Sequence, residues 1–212
     1  MKARIRGLVS IVPMALALTL LASPGNANAL IQVRMVQSGA FGANIPGAWE
    51  PFSTSEITQL RDQFTQQSAE IYRRYAGSED PTSTFGILAY HIEGASGTFI
   101  MATLDVPAQS NYVSELRDQA SAKADWGIKN GYIQKYLGLT PIATDKFSGF
   151  YVTMVGNDGT VQISGGIQPK VAKSTMIELT LLCPQGWDAS KAASVLSAII
   201  SSVTLAQKAN PQ

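Results

Sequence analysis

The sequence predicts an α+β fold: a mainly antiparallel sheet flanked by helices, in a single domain. Three observations predict it. Three segments carry apolar residues at helical spacing, and most of the remainder alternates or runs apolar over strand lengths. The strand-like segments are joined mainly by links of hairpin length, which antiparallel neighbours accept and parallel ones do not. The chain has 212 residues, 45% hydrophobic and 15% charged, which suits one ordinary domain and excludes wholesale disorder.

Residues 1–29 read as a cleaved secretory signal outside the fold. Lys2, Arg4 and Arg6 form a basic start. Leu8 to Leu21 is apolar but too short to span a bilayer comfortably, and Ala27-Asn28-Ala29 is a small-residue cleavage site. No Cys follows the apolar stretch, so the acylated Cys of a bacterial lipoprotein is absent. No later apolar run reaches transmembrane length. The expectation is an exported, soluble mature chain beginning at Leu30, in a bacterial periplasm, without a transmembrane segment. The full chain carries a net charge of +1 from 16 basic and 15 acidic residues. The three basic residues of the signal leave a mature charge of about −2, so no nucleic-acid partner is expected.

Residues 30–40 read as an N-terminal extension, with Leu30 to Val36 strand-like, and residues 41–205 as the domain. Phe41 to Ile45 is a strand stopped by Pro46-Gly47, and Trp49 reads as core at a helix entrance. Ser53-Thr54-Ser55-Glu56 is a capping box opening a helix over 53–76, with Ile57, Leu60, Phe64, Ile71 and Tyr75 on the buried side and Gln67 on the outer one. Thr84 to Glu93 and Thr98 to Val106 form a hairpin that is apolar on both faces and therefore needs cover on both.

A second helix is expected over 110–128, its stripe running through Val113, Leu116, Ala120, Ala124 and Ile128 to an Asn130-Gly131 stop. Leu137 to Asp145 is the next strand. Phe150 to Met154 turns through Asn157-Asp158-Gly159 into Val161 to Ile167, where Gly165-Gly166 marks a bulge or a close backbone approach. Thr175 to Cys183 carries the strongest alternation. Asp188 caps a last helix over 188–204, with Ala192, Leu196, Ile199 and Ile200 on its stripe. Residues 206–212 are a polar tail. The expected order is (β)β–α–β–β–α–β–β–β–β–α, with Leu60, Phe64, Ile87, Leu116, Val152, Leu179, Leu181 and Ile199 among the buried residues.

This layout resembles the PsbP-like family, which includes the extrinsic photosystem II subunit of that name, a Ran-binding nuclear-transport factor and many exported bacterial proteins. The resemblance is carried by Phe41 to Trp49, a strand ending in Pro-Gly-x-Trp. It is carried also by the hairpin around Asn157-Asp158-Gly159, and by Met176 to Pro184 followed by the helix ending Ile199-Ile200-Ser201-Ser202-Val203. It spans residues 41–205 and implies an antiparallel sheet between helical layers. Its members differ in function, so it implies a fold and no activity.

Chemistry-bearing residues are few. One Cys and one His cannot build a His/Cys zinc cluster or a disulfide framework, so no metal site is expected. Phosphate-loop, dinucleotide, nucleophile-elbow and zincin motifs are absent from the sequence, and no cofactor is expected. Cys183 shares a strand face with Ile177, Leu179 and Leu181 and reads as a buried structural thiol; the alternative is a nucleophile. His91 and Glu93, two residues apart on one strand, read as a half-exposed pair. The alternative makes them the catalytic candidates of a periplasmic hydrolase with a nucleophile nearby. Glu178, mid-strand beside Met176 and Leu182, is a candidate for a raised pKa. Trp126, Lys129, Tyr132 and Tyr136 interleave aromatics with Lys and are the ligand-binding candidates, suited to stacking on an anionic or sugar-like molecule; the same pattern suits a helix end followed by a strand. The functional expectation is a non-enzymatic module that binds a periplasmic protein or a small ligand.

Overall fold

A computed structural model describes residues 33–38, 41–76, 86–94, 96–107, 111–171 and 174–205. The signal region, the Leu30 end of the first predicted strand, Thr84, Ser110 and the 206–212 tail lie outside the described residues. The described residues fall within one compact unit.

Ten strands and three helices are described. The order is β1 (Val33–Ser38), β2 (Phe41–Pro46), β3 (Glu50–Pro51), α1 (Thr54–Ala76), β4 (Ile87–Ile92), β5 (Gly97–Asp105) and α2 (Tyr112–Lys129). There follow β6 (Ile133–Ala143), β7 (Phe147–Gly156), β8 (Val161–Pro169), β9 (Thr175–Leu182), α3 (Ala189–Ser202) and β10 (Thr204–Leu205). The α+β class and the antiparallel pairing follow the sequence. One sheet has seven strands in the order β3-β4-β5-β9-β8-β7-β6, and a smaller one has the order β1-β2-β10; every pairing is antiparallel.

Several boundaries differ from the sequence reading. Within the predicted 30–40 extension, β1 pairs with β2 from Val33↔Pro46 to Ser38↔Phe41. β3 and β10 were not predicted; at two residues each they carry no periodicity and exist only because β4 and β2 offer free edges. β6 starts at Ile133 rather than Leu137. Its register slips between Ile133 and Lys135 and again between Tyr136 and Gly138, and these irregularities break the alternation that would have announced it.

The large sheet lies between two layers. On one face, α3 and β2 pack against Leu88, Tyr90, Phe99, Met101, Ile163, Ile177, Leu179 and Leu181. On the other face lie α1, on β4 and β5, and α2, on β6, β7 and β8. The two-sided apolar hairpin β4–β5 is therefore covered on both sides, as its composition requires. Trp49 is buried and sits 5.5 Å from Phe99, ring to ring.

Local sequence signals account for the helix starts. The Ser53 amide donates to Glu56 Oε2 at 2.8 Å and the Glu56 amide to Ser53 Oγ at 3.4 Å, completing the capping box. Asp188 accepts from the Lys191 amide at 2.7 Å and caps α3. Leu60 and Phe64, expected to be buried, are half-buried; they pack at the margin of the Ile87, Ala89 and Ala102 cluster rather than inside it. Ile128, expected on the α2 stripe, is 43% exposed; Gly127 takes the inward place instead, and a Cβ there would collide with the Ile133 side chain. Gly165 marks a close approach and no bulge. The β7–β8 register is unbroken from Phe147↔Pro169 to Val155↔Val161, and a Cβ at Gly165 would meet the Phe150 carbonyl and the Tyr151 backbone.

Cys183 extends the Ile177, Leu179, Leu181 face into the core and is fully buried. Burial pushes its thiol up to about 12. The thiolate is the reactive form, so a thiol reagent at neutral pH is expected to label Cys183 only after denaturant is added. Rapid labelling of the native protein would contradict this packing.

Candidate functional site

The aromatic candidates meet where α2 ends and β6 begins. The inward side of α2 carries Tyr112, Leu116, Ala124 and Gly127. Trp126 therefore points away from the sheet. The Asn130-Gly131 stop reverses the chain, with Gly131 at φ 73, where a Cβ is disfavoured. The turn is pinned from several sides. Asn130 donates to the Trp126 carbonyl from its amide at 3.0 Å and from Nδ2 at 2.7 Å. The Tyr132 amide donates to the Gly127 carbonyl at 2.8 Å. Asn157 Nδ2, from the β7–β8 turn, donates to the Gly131 carbonyl.

This clamp stacks Tyr132 on Trp126, with ring centroids 5.4 Å apart and planes 14° from parallel. The pair remains open to solvent, Trp126 at 60% and Tyr132 at 68% exposure. Ile128 and Leu137 are exposed large hydrophobics close by in the chain, and Lys129 is exposed at the helix end. Tyr136 does not join them. It is half-buried and packs into the apolar cluster under α2, because the β6 irregularity turns it inward while Leu137 turns out.

His91 and Glu93 are separated by the end of their strand. β4 stops at Ile92, and Glu93 turns away with φ 51, so the two-residue alternation no longer holds for it. Glu93 Oε1 accepts from Trp187 Nε1 at 3.0 Å. His91 stacks on Phe52 at 4.2 Å and its Nε2 lies 3.1 Å from Glu56 Oε1. The carboxylate beside His91 is thus Glu56, whose other oxygen caps α1. Two hydrogen bonds from Ser53, and then the His91 ring, hold Glu56 below the usual carboxylate range. A catalytic triad sets His between acid and nucleophile; here the carboxylate stands between the Ser53 hydroxyl and His91.

A third constellation lies on the helical face of the sheet. Glu178 Oε1 accepts from Gln67 Nε2 of α1 at 2.6 Å and from the Tyr112 hydroxyl of α2 at 3.2 Å. Gln67 and Tyr112 are themselves 3.0 Å apart. Burial pushes the Glu178 carboxyl up to about 7, against the lowering pull of those hydrogen bonds and of Lys123. Desolvation lowers the Lys123 ammonium. Sequence reasoning singled out Glu178 and missed its partners. Their signal was present: Gln67 lies three residues after Phe64 and four before Ile71, and Lys123 three after Ala120, so both interrupt an apolar stripe.

Among the described residues, no three His, Cys, Asp or Glu side chains converge where they could hold a metal ion, and no helix is long and apolar enough to cross a membrane. A depression of about 160 Å³ lined by Thr144, Asp145, Lys146, Phe147, Ile200 and Ser201 is below the range of small-molecule sites, roughly 300–1,000 Å³.

The seven-stranded antiparallel sheet between a two-helix layer and a layer of one helix with a small sheet defines a PsbP-like α+β fold. The solution structure of cyanobacterial PsbP (CyanoP) from Synechocystis sp. PCC 6803 is similar, with a TM-score of 0.51 and 8% identity over 88% of this chain and 99% of that one. The crystal structure of the Saccharomyces cerevisiae Ran-binding protein Mog1p aligns with a TM-score of 0.40 and 11% identity, over 82% of this chain and 96% of that one. No model of a protein family matches the sequence, and no curated protein matches it. At 8% identity the likeness to CyanoP is one of fold.

Proposed function

We propose that this protein is an exported, non-enzymatic binding module that meets a partner protein through the Trp126–Tyr132 face. One observation carries the reading: two large aromatic rings, stacked on each other and more than half exposed, are held by a turn that is hydrogen-bonded at both ends. Aromatic side chains left in water are costly to solvate, and rigid ones lose little entropy on binding, so Trp and Tyr dominate interface energetics. The flanking Ile128 and Leu137 extend the apolar surface, and Lys129 supplies a polar rim. Export is supported by the basic, apolar and small-residue succession of residues 1–29.

The test compares the wild-type protein with a Trp126→Ala/Tyr132→Ala variant in crosslinking and pull-down from the exported fraction. Both rings are exposed, so the variant is expected to melt like the wild type. It is also expected to lose the proteins that the wild type retains, an interface loss above about 2 kcal/mol for such anchors. Equal retention by both would defeat this face as the contact. Export is tested separately by intact mass: the secreted protein is expected to begin at Leu30, and a retained 1–29 segment would overturn that part.

A further inference from the structure

The outer side of α2 carries a charge pattern beside the aromatic pair. Ala122, Asp125 and Lys129 are exposed and follow one another at spacings of three and four residues. They therefore form one line along the helix, with Trp126 next to it. Ala122 stands one turn before Trp126, and its short side chain leaves a shallow step beside the rings. The charge changes sign along the line, with Asp125 one turn before Lys129 in the last turn of the helix. Among the described residues neither closes an ion pair.

The sheet edge next to this surface is β6, the last of the seven strands. An open edge invites pairing with an extended segment, but this one is defended. Its register slips twice, Lys135 is exposed on it, and Pro141 has no amide to donate. The surface suits the packing of a helix face rather than the addition of a strand.

A face whose acid and base lie one turn apart is complementary to itself. Two copies of α2 that cross antiparallel about a two-fold axis, level with Gly127, set Asp125 of each opposite Lys129 of the other. Both contacts then form at once, as isologous pairing requires. The chain carries a net charge of only +1, so two copies approach with little repulsion. At their observed exposures, Trp126 and Tyr132 together offer roughly 250 Å². Each side of a stable interface gives about 800 Å². The rings are thus the centre of the contact, and the outer line of α2 with the start of β6 supplies the rest. Such a contact corresponds to a weak dimer, with a dissociation constant of about 1–100 µM.

We propose that the protein met by this face is a second copy of the same chain. The two form an isologous dimer centred on Trp126 and Tyr132 and held in register by reciprocal Asp125–Lys129 pairs. This rests on the aromatic face being the contact, as proposed above, and adds which partner it takes.

The experiment is sedimentation equilibrium of the full mature chain over about 5–500 µM. The wild type is expected to pass from monomer to dimer within that range. Asp125→Lys and Lys129→Asp each set like charges against each other twice across the axis. Each is expected to weaken the dimer about tenfold or more. An equimolar mixture of the two variants recreates both opposite-charge contacts and is expected to form a mixed dimer of wild-type strength. Both positions are exposed, so an unchanged melting temperature is the check on folding. Three results would each overturn the proposal: a wild type that stays monomeric at about 500 µM, single variants that associate like the wild type, or a mixture no stronger than its components. A monomeric wild type that still retains another protein through Trp126 and Tyr132 overturns the second copy and keeps the face.

Discussion

Replacing Leu179 by Ala is expected to lower the unfolding free energy by about 2–5 kcal/mol. Leu179 is 1% exposed at the centre of β9, with Met101 of β5 on one side and Gly165 of β8 on the other. Its side chain packs in the core shared by α3 and β2. Both neighbouring strands are held by continuous ladders, so the walls of the vacated space collapse little and the cavity persists. Denaturant unfolding checks this: the midpoint should fall with the slope unchanged. Leu60→Ala is expected to cost less, because Leu60 is only half-buried under α1. An unchanged midpoint for Leu179→Ala would contradict the layered packing.

The second large effect concerns pH and Glu178. Burial raises its carboxyl from an ordinary 4.5 to about 7 in the folded chain. The folded state therefore favours the protonated form more than the unfolded state does. That contribution is fully present below about pH 4.5 and is lost as pH rises through 7. The span corresponds to at most about 3 kcal/mol, reduced by whatever solvent contact the carboxyl keeps. Glu178→Gln keeps the shape and cannot ionise. The stability of the wild type relative to this variant is thus expected to fall between pH 5 and pH 8, measured by urea unfolding at each pH. A difference that stays flat would mean that the carboxyl is not withdrawn from water between the helices.

The long elements were legible because each carries its own periodicity. Thr175 to Cys183 alternates strictly, α3 presents a continuous stripe, and Ser53 with Glu56 announces the start of α1. β6 was legible only in part, since its register slips erase the two-residue repeat, and β3 and β10 are too short to have one. The site was legible in the same uneven way. Trp126, Lys129 and Tyr132 were found because the sequence interleaves aromatics with Lys there, and the helix stop at Asn130-Gly131 then brings the two rings together. Tyr136 was grouped with them by sequence distance, and the β6 irregularity separated it. His91 and Glu93 were joined by alternation, and alternation fails once a strand has ended.

The sequence by itself determined the class of fold, the antiparallel habit of the sheet, the helix caps, the buried Cys183 and the turn that pairs Trp126 with Tyr132. Each depends on interactions within a few residues, whose geometry the local backbone dictates. Only the tertiary structure decided that Glu56, and not Glu93, stands beside His91. It alone brought Gln67 and Tyr112 together on Glu178, joining α1 to α2 above β9, with Lys123 near enough to act on the carboxyl. Those relations join residues up to 111 positions apart. They are settled by which faces the helices bury and how the strands are ordered, and strand order is a property of the packed whole that no local pattern carries.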